Sequence, residues 1–340
     1  MDMQEIRAAA RERMKGYCRV CPVCNGVVCA GEVPGMGGAG TGSSFKSNVE
    51  DLNKIKVRLK TIHDAKEPDL TFDFFGTKLD LPLISAPITG SAFNMGGALS
   101  EEEYIESVVY GSVDAGTLAM IGDSADPKNY NIGLNLLEKV NGKGVAIIKP
   151  KENPVVMEAV KKAEKVNAIA AGMDIDGAGL ITLALHGAPV GPKTVDELKE
   201  IISSTSLPFI LKGIMTKEEA LLAVETGAKA IVVSNHGGRV LDHSQSTARV
   251  LPEIAEAVKG KIMILVDGGV RSGVDVFKMI ALGADAVLIG RPVIIGAFGG
   301  YREGVAKVIN DMKYQLLQTM LLTGAKDLAS IDRSMISIEW

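Results

Sequence analysis

Three groups of residues in this chain have types and spacings that can do chemistry. Four cysteines, Cys18, Cys21, Cys24 and Cys29, are crowded into one short stretch with gaps of two, two and four residues. Thiolates at i, i+3 and i+6 can wrap one centre, and four sulfurs satisfy either a 4Fe–4S cluster or a tetrahedral zinc ion. Zinc sites usually come as two separated Cys-x2-Cys pairs, whereas three closely spaced cysteines and a fourth favour iron–sulfur; four unligated thiols are the third reading. A disulfide framework would spread its cysteines to staple distant loops, so the crowding argues against one. The second group is DGGVRSG (267–273) with IGRP (289–292). Gly268, Gly269 and Gly290 let backbone approach a ligand, and Arg271 and Arg291 supply charge and forked donors, as a phosphate site requires. The third group centres on His236 in SNHGGR (234–239), with Arg239 beyond it. An imidazole titrates near working pH and suits proton transfer, although a lone histidine is more often structural.

Groups such as these need elements that end in one place. From about Leu81 the chain alternates strand with helix, and the apolar runs 81–89, 117–122, 145–150, 168–176, 208–213, 230–235, 261–269 and 286–292 read as strands. Between them, Ser100 and Glu103 form a capping box, PVVMEAVKKAEKV has proline in its first turn, and four later segments are amphipathic. Near-continuous apolar strands separated by helices mean a parallel sheet covered on its outer face. Eight such units predict an α/β fold, a (β/α)8 TIM barrel over 81–340, with a doubly wound sheet as the alternative. Residues 1–80 form an N-terminal extension, and a helix from about Tyr301 to Leu322 follows the barrel.

Barrel chemistry sits at the C-terminal strand ends. Here those ends carry Thr89, Gly122, Lys149, Asp174, Lys212, Ser234-Asn235-His236, Asp267-Gly268-Gly269 and Gly290-Arg291. Such a gathering of charge is the main sign of a site. The segment GMGGAG (35–40) matches a dinucleotide-binding pattern, but no strand leads into it and no helix clearly follows, so it reads as a flexible lid. His63 and His243 read as surface or structural.

The bulk composition excludes several classes. A net charge of −4 gives no electrostatic reason to expect nucleic acid. The longest apolar runs are strand-sized, so nothing spans a membrane, and the charged N-terminus lacks a signal peptide's apolar core, which predicts a cytoplasmic protein.

SNHGGRVLD (234–242), VDGGVRSGVDVFKMIALGADAVLIGRP (266–292) and the closing LTGAKDLASIDRSMI resemble the FMN-dependent α-hydroxy acid oxidase and dehydrogenase family, which includes glycolate oxidase and lactate oxidase. The resemblance is dense from about Pro208 to Ile336 and weaker back to about Phe45. It implies that Ala86, Pro87, Ile88 and Thr89 lie against the flavin ring, that Lys212 meets its N1–C2 edge and that Ser234 touches the ribityl side. His236, Gly237 and Arg239 belong to the same site by resemblance, while Asp267, Gly268, Gly269, Arg271, Gly290 and Arg291 hold the ribityl chain and phosphate. His236 would be the base, Asp174 the carboxylate that orients it, and Arg239 the partner of a substrate carboxylate.

Departures from the family bear on the substrate. Where a tyrosine is expected on the third strand, Ile148 stands with Lys149 beside it. The second carboxylate-binding arginine is missing from 176–192, which offers only His186, and the N-terminal active-site tyrosine has no counterpart. The resemblance implies an FMN-dependent oxidoreductase acting on a small 2-hydroxy acid, working as a homo-oligomer (tetramer or octamer). If the cysteines carry a cluster, an electron-carrier protein becomes a partner. The alternatives are a flavin-dependent isomerase of the type 2 isopentenyl diphosphate isomerase kind and a redox sensor without turnover.

Overall fold

The computed structural model describes every residue except Ile181, Thr182, Ala184, Leu185 and Ala188. The extension begins with the helix Met3–Arg13, opened by a capping box in which Asp2 accepts from the Gln4 and Glu5 N–H groups and Glu5 answers the Asp2 N–H. A loop carrying the four cysteines leads to the helix Ser43–Lys54, then to β1 (Ile55–Val57) and a hairpin of β2 (Phe72–Phe74) and β3 (Thr77–Leu79).

Each apolar run then becomes a short strand: β4 (Leu83–Ser85), β5 (Ala119–Gly122), β6 (Gly144–Ile148), β7 (Ala170–Asp174), β8 (Phe209–Ile214), β9 (Ala230–Val233), β10 (Met263–Val266) and β11 (Ala286–Ile289). These eight close into a parallel barrel in sequence order, β11 pairing with β4 through Val287 to Leu83 and Ile289 to Ser85. The alternative doubly wound sheet is thereby overturned. The barrel strands are buried along almost their whole length because the barrel interior covers one face and helices cover the other.

Two apolar layers divide the work. Phe74 and Leu79 of the hairpin pack with Ile84, Met120, Val145, Ile210, Val232 and Leu288. This plug fills the end of the barrel from which the strands start, leaving the other end to polar groups. A larger core lies between strands and helices. The capping box of Ser100 and Glu103 opens the helix Glu101–Asp114 as expected, while Pro127–Lys139 is a helix whose apolar stripe is too diluted by asparagine and glycine to stand out in sequence. The closing helix, expected from Tyr301, continues directly from the eighth unit as Arg291–Leu321, with a break at Gly300 and Tyr301 (φ +51°). Helix Met3–Arg13 packs along it so closely that a Cβ on Gly299 would lie 2.2 Å from the Ile6 carbonyl oxygen. Finally β1 pairs antiparallel with β12 (Ile336–Ile338), tying the extension to the C-terminal tail. Among the described residues, no helix is long and apolar enough to cross a membrane.

Candidate active site

The strand ends line one cavity of about 510 Å3. Ala86 to Gly90 follow β4, Lys149 follows β6, Lys212 is in β8, His236, Gly237 and Arg239 follow β9, Asp267 to Arg271 follow β10, and Gly290 and Arg291 follow β11. A volume of this order suits a cofactor or small-molecule site.

His236 is held with some backbone cost. Its φ is +57°, unusual for a residue with a Cβ. The turn is fixed by Asn235, whose side-chain oxygen accepts from the Gly238 N–H at 3.2 Å and from Asn48 Nδ2 at 2.8 Å. The imidazole Nδ1 is 3.0 Å from Asp176 Oδ1 and 3.6 Å from Asp174 Oδ1. The carboxylate bonded to the imidazole is thus Asp176 and not Asp174, which corrects the sequence-based expectation. The reason lies in β8, where a bulge at Gly213 (φ +107°) leaves room for Asp176; a Cβ there would meet the Asp176 Cβ at 2.8 Å.

Asp174 serves two lysines instead. Lys149 Nζ contacts its Oδ2, and Lys212 Nζ donates to Oδ1 at 3.0 Å and to Ser234 Oγ at 3.1 Å. Burial opposes its charge, but Lys149, Lys212 and His236 outweigh burial and hold the Asp174 carboxyl well below the usual range. Asp176 goes the other way. Burial raises its pKa and the nearby Asp174 charge adds to this, with His236 opposing. For Lys212, burial works against the ammonium, yet Asp174, Asp176 and Asp267 prevail and its pKa is raised. The lysine stays charged at the cavity wall.

Arginines concentrate positive charge opposite. Arg239 donates to the carbonyls of Gly35 and Gly37 and, at 2.9 Å, to Asn94 Oδ1. Arg291 donates to Met36, Gly237 and Gly37 carbonyls at 3.0 to 3.1 Å and stacks on Phe45 at 3.7 Å. Burial, then Arg271 and Arg239, push the Arg291 pKa down. The glycine-rich segment 35–40 is therefore pinned by arginines, not loose, and the helix Ser43–Lys54 does follow it. It also turns carbonyl oxygens toward the arginines, the opposite polarity to a phosphate-cradling turn.

Two other expectations change. Ser234 is fully buried behind Lys212 and does not line the cavity. Ile148 is likewise buried, and Lys149 alone occupies the wall where a tyrosine was expected. His186 lines the cavity beside Phe93, ring centroids 4.6 Å apart. Asp176, Asn94, Asn48 and Phe45 escaped sequence reasoning, although Asp176 lies two residues beyond Asp174 in the same strand-end motif. The four cysteines are unpaired with one another and, with Met36 and Arg291, line a second cavity of about 30 Å3.

The family model described as FMN-dependent dehydrogenase matches residues 35–182 and 183–338. An L-lactate oxidase from Nostoc sp. is 32% identical, the match covering 89% of this chain and 92% of the relative. The glycolate oxidase of Spinacia oleracea is 30% identical over 87% of this chain and 88% of its own. A crystal structure of a mandelate oxidase variant with 2-hydroxy-phenylacetamide superposes with a TM-score of 0.81 at 28% identity, covering 99% of this chain and 97% of that one.

Proposed function

The chain belongs to the FMN-dependent dehydrogenase family, and from that premise we propose that it oxidises a 2-hydroxy acid to the keto acid with FMN bound in the 510 Å3 cavity. The observation that carries this is the His236–Asp176 hydrogen bond of 3.0 Å at a barrel strand end.

The residues present fit the cofactor. Asp267 Oδ1 is buried without a hydrogen-bond partner, ready for a donor from a ligand. Gly290 leaves a space that a Cβ would close, 2.7 Å from Ile88 Cδ1. Arg271 and Arg291, whose side chains meet carbonyls and a thiol here, have forked donors for a phosphate, together with backbone of Gly268, Gly269 and Gly290. Ala86 to Thr89 and Lys212 would hold the ring. FMN, when bound, supplies a two-electron acceptor. Around it, His236 takes one substrate proton, and the Asp176 carboxylate holds its Nδ1–H and steadies the imidazolium. The Lys212 ammonium, kept charged by Asp174, offers positive charge where negative charge develops. Arg239 and Lys149 are the cationic groups for the substrate carboxylate.

Anaerobic titration of the purified protein with a panel of 2-hydroxy acids tests the reading. Bleaching of flavin absorbance by one or more supports it; FAD, a nicotinamide or no cofactor after reconstitution sinks it. The family does not favour the isomerase or sensor alternatives. The same proposal carries the cytoplasmic location and the homo-oligomer, tetramer or octamer, checked by light scattering.

A further inference from the structure

We propose that Cys18, Cys21, Cys24 and Cys29 hold a four-iron, four-sulfide cluster beside the arginine end of the flavin cavity. All four thiols are half-buried around one void of about 30 Å3, in a loop without regular secondary structure. Among the described residues, no three cysteine sulfurs lie mutually within 4.8 Å. Tetrahedral zinc, with bonds of about 2.3 Å, would draw four sulfurs to about 3.8 Å from one another. A cluster instead gives each cysteine its own iron, so the ligands stand further apart around a central body. The wider spacing suits the larger centre.

The surroundings suit its charge. A cluster with four thiolates is anionic, and this loop is fastened by arginines. Arg7 and Arg11 donate to the Val20 carbonyl at 3.3 and 3.0 Å. Arg271 donates to the Cys24 carbonyl at 3.1 Å and approaches Cys24 Sγ at 3.5 Å. Val20, fully buried with φ +45°, turns its N–H to Cys18 Sγ at 3.4 Å, a hydrogen bond of the kind that tunes cluster sulfurs. Gly26 must stay a glycine because a Cβ would lie 2.6 Å from the Phe45 ring. Met36 and Arg291 line both cavities, so the two are separated by single side chains.

That adjacency gives the cluster a task, which rests on the flavin reading although the cluster itself does not. Oxidising a hydroxy acid to a keto acid releases two electrons and two protons. The cluster passes the electrons singly to a one-electron carrier protein of the iron–sulfur or flavin type, reducing two carriers per turnover. His236 takes one proton and solvent the other. The loop is accessible to such a carrier, with Val23 64% and Val28 54% exposed.

The full chain, purified anaerobically and reconstituted with iron and sulfide, is analysed for iron, acid-labile sulfide, zinc and FMN. About four irons and four sulfides per chain, with a paramagnetic signal after dithionite, are expected. The double variant Cys21→Ser, Cys24→Ser should lose both while keeping its circular dichroism and FMN. One zinc without sulfide, or four freely titrating thiols in the parent, overturns the proposal, and needs no variant to fold. Iron and sulfide without FMN would leave the cluster standing and sink the proposed function; FMN without iron does the reverse.

Discussion

The two sides of the cavity differ in how they are built. On the side of β8 to β11, the wall is largely backbone and glycine: Gly237, Gly268, Gly269 and Gly290, with Arg271 and Arg291 adjoining. On the side of β5 to β7 it includes side chains that depend on partners outside the lining, Lys149 on Asp174, and Asp123 on Lys151 at 2.8 Å. Backbone recognition is fixed by local sequence, because a glycine turn behaves alike wherever the turn recurs. Side-chain recognition is collective and can be rebuilt residue by residue. A cofactor-binding side can therefore persist while the substrate side diverges.

The largest expected effect breaks the first side. His236→Ala should slow substrate-driven flavin reduction about 10²–10⁴-fold, the usual worth of a general base, while FMN content is unchanged. Stopped-flow absorbance checks this, and reduction at the parental rate would refute the role. Next comes the point where the two sides meet. Asp174→Ala leaves Lys149 and Lys212 without their shared carboxylate, both being nearly fully buried. Removing one partner of a buried pair costs about 3–5 kcal/mol, read as a lowered denaturation midpoint at neutral pH.

The same division decides what could be read in the sequence. All eight strands were legible because each is a largely apolar run, and so were the loops after β10 and β11, whose glycines and arginines lie close together in sequence. The His236–Asp176 bond was not. Which of two nearby carboxylates reaches the imidazole depends on the bulge at Gly213, a relation between strands that no local pattern records. Nor was the partnership of Arg239 and Arg291 with residues 35–37, from which Arg239 is 202 and Arg291 254 residues away at Gly37.

A smaller effect tests the substrate side alone. Lys149→Met should lower kcat/KM for the best acid about 10–100-fold, as lost charge-assisted contacts do. The change for lactate or glycolate should be slighter, since these are expected to be poor substrates. Steady-state kinetics on both acids check it; equal losses would show that Lys149 acts only through Asp174.

The smallest effect separates the two carboxylates by sign. Asp174 has a depressed folded pKa, so its contribution to stability is present above the ordinary value of 3.8 and is lost as pH falls through the folded value. Asp176 is its mirror image. Its raised folded pKa means that folding opposes its ionisation, a cost that is absent below 3.8 and complete once pH exceeds the folded value. Its Oδ2 is also buried without a partner, so the carboxylate is held for its Oδ1 bond to His236 and not for stability. Asp176→Asn should therefore slow flavin reduction about tenfold, as a charged hydrogen bond becomes a neutral one. It should also stabilise the fold by about 1 kcal/mol at neutral pH, a gain that fades in acid. Thermal denaturation between pH 4 and 8, beside the reduction rate, measures both. A variant that is slower but no more stable would mean that Asp176 holds the barrel mouth together as Asp174 does, and the two sides would then share one structural logic.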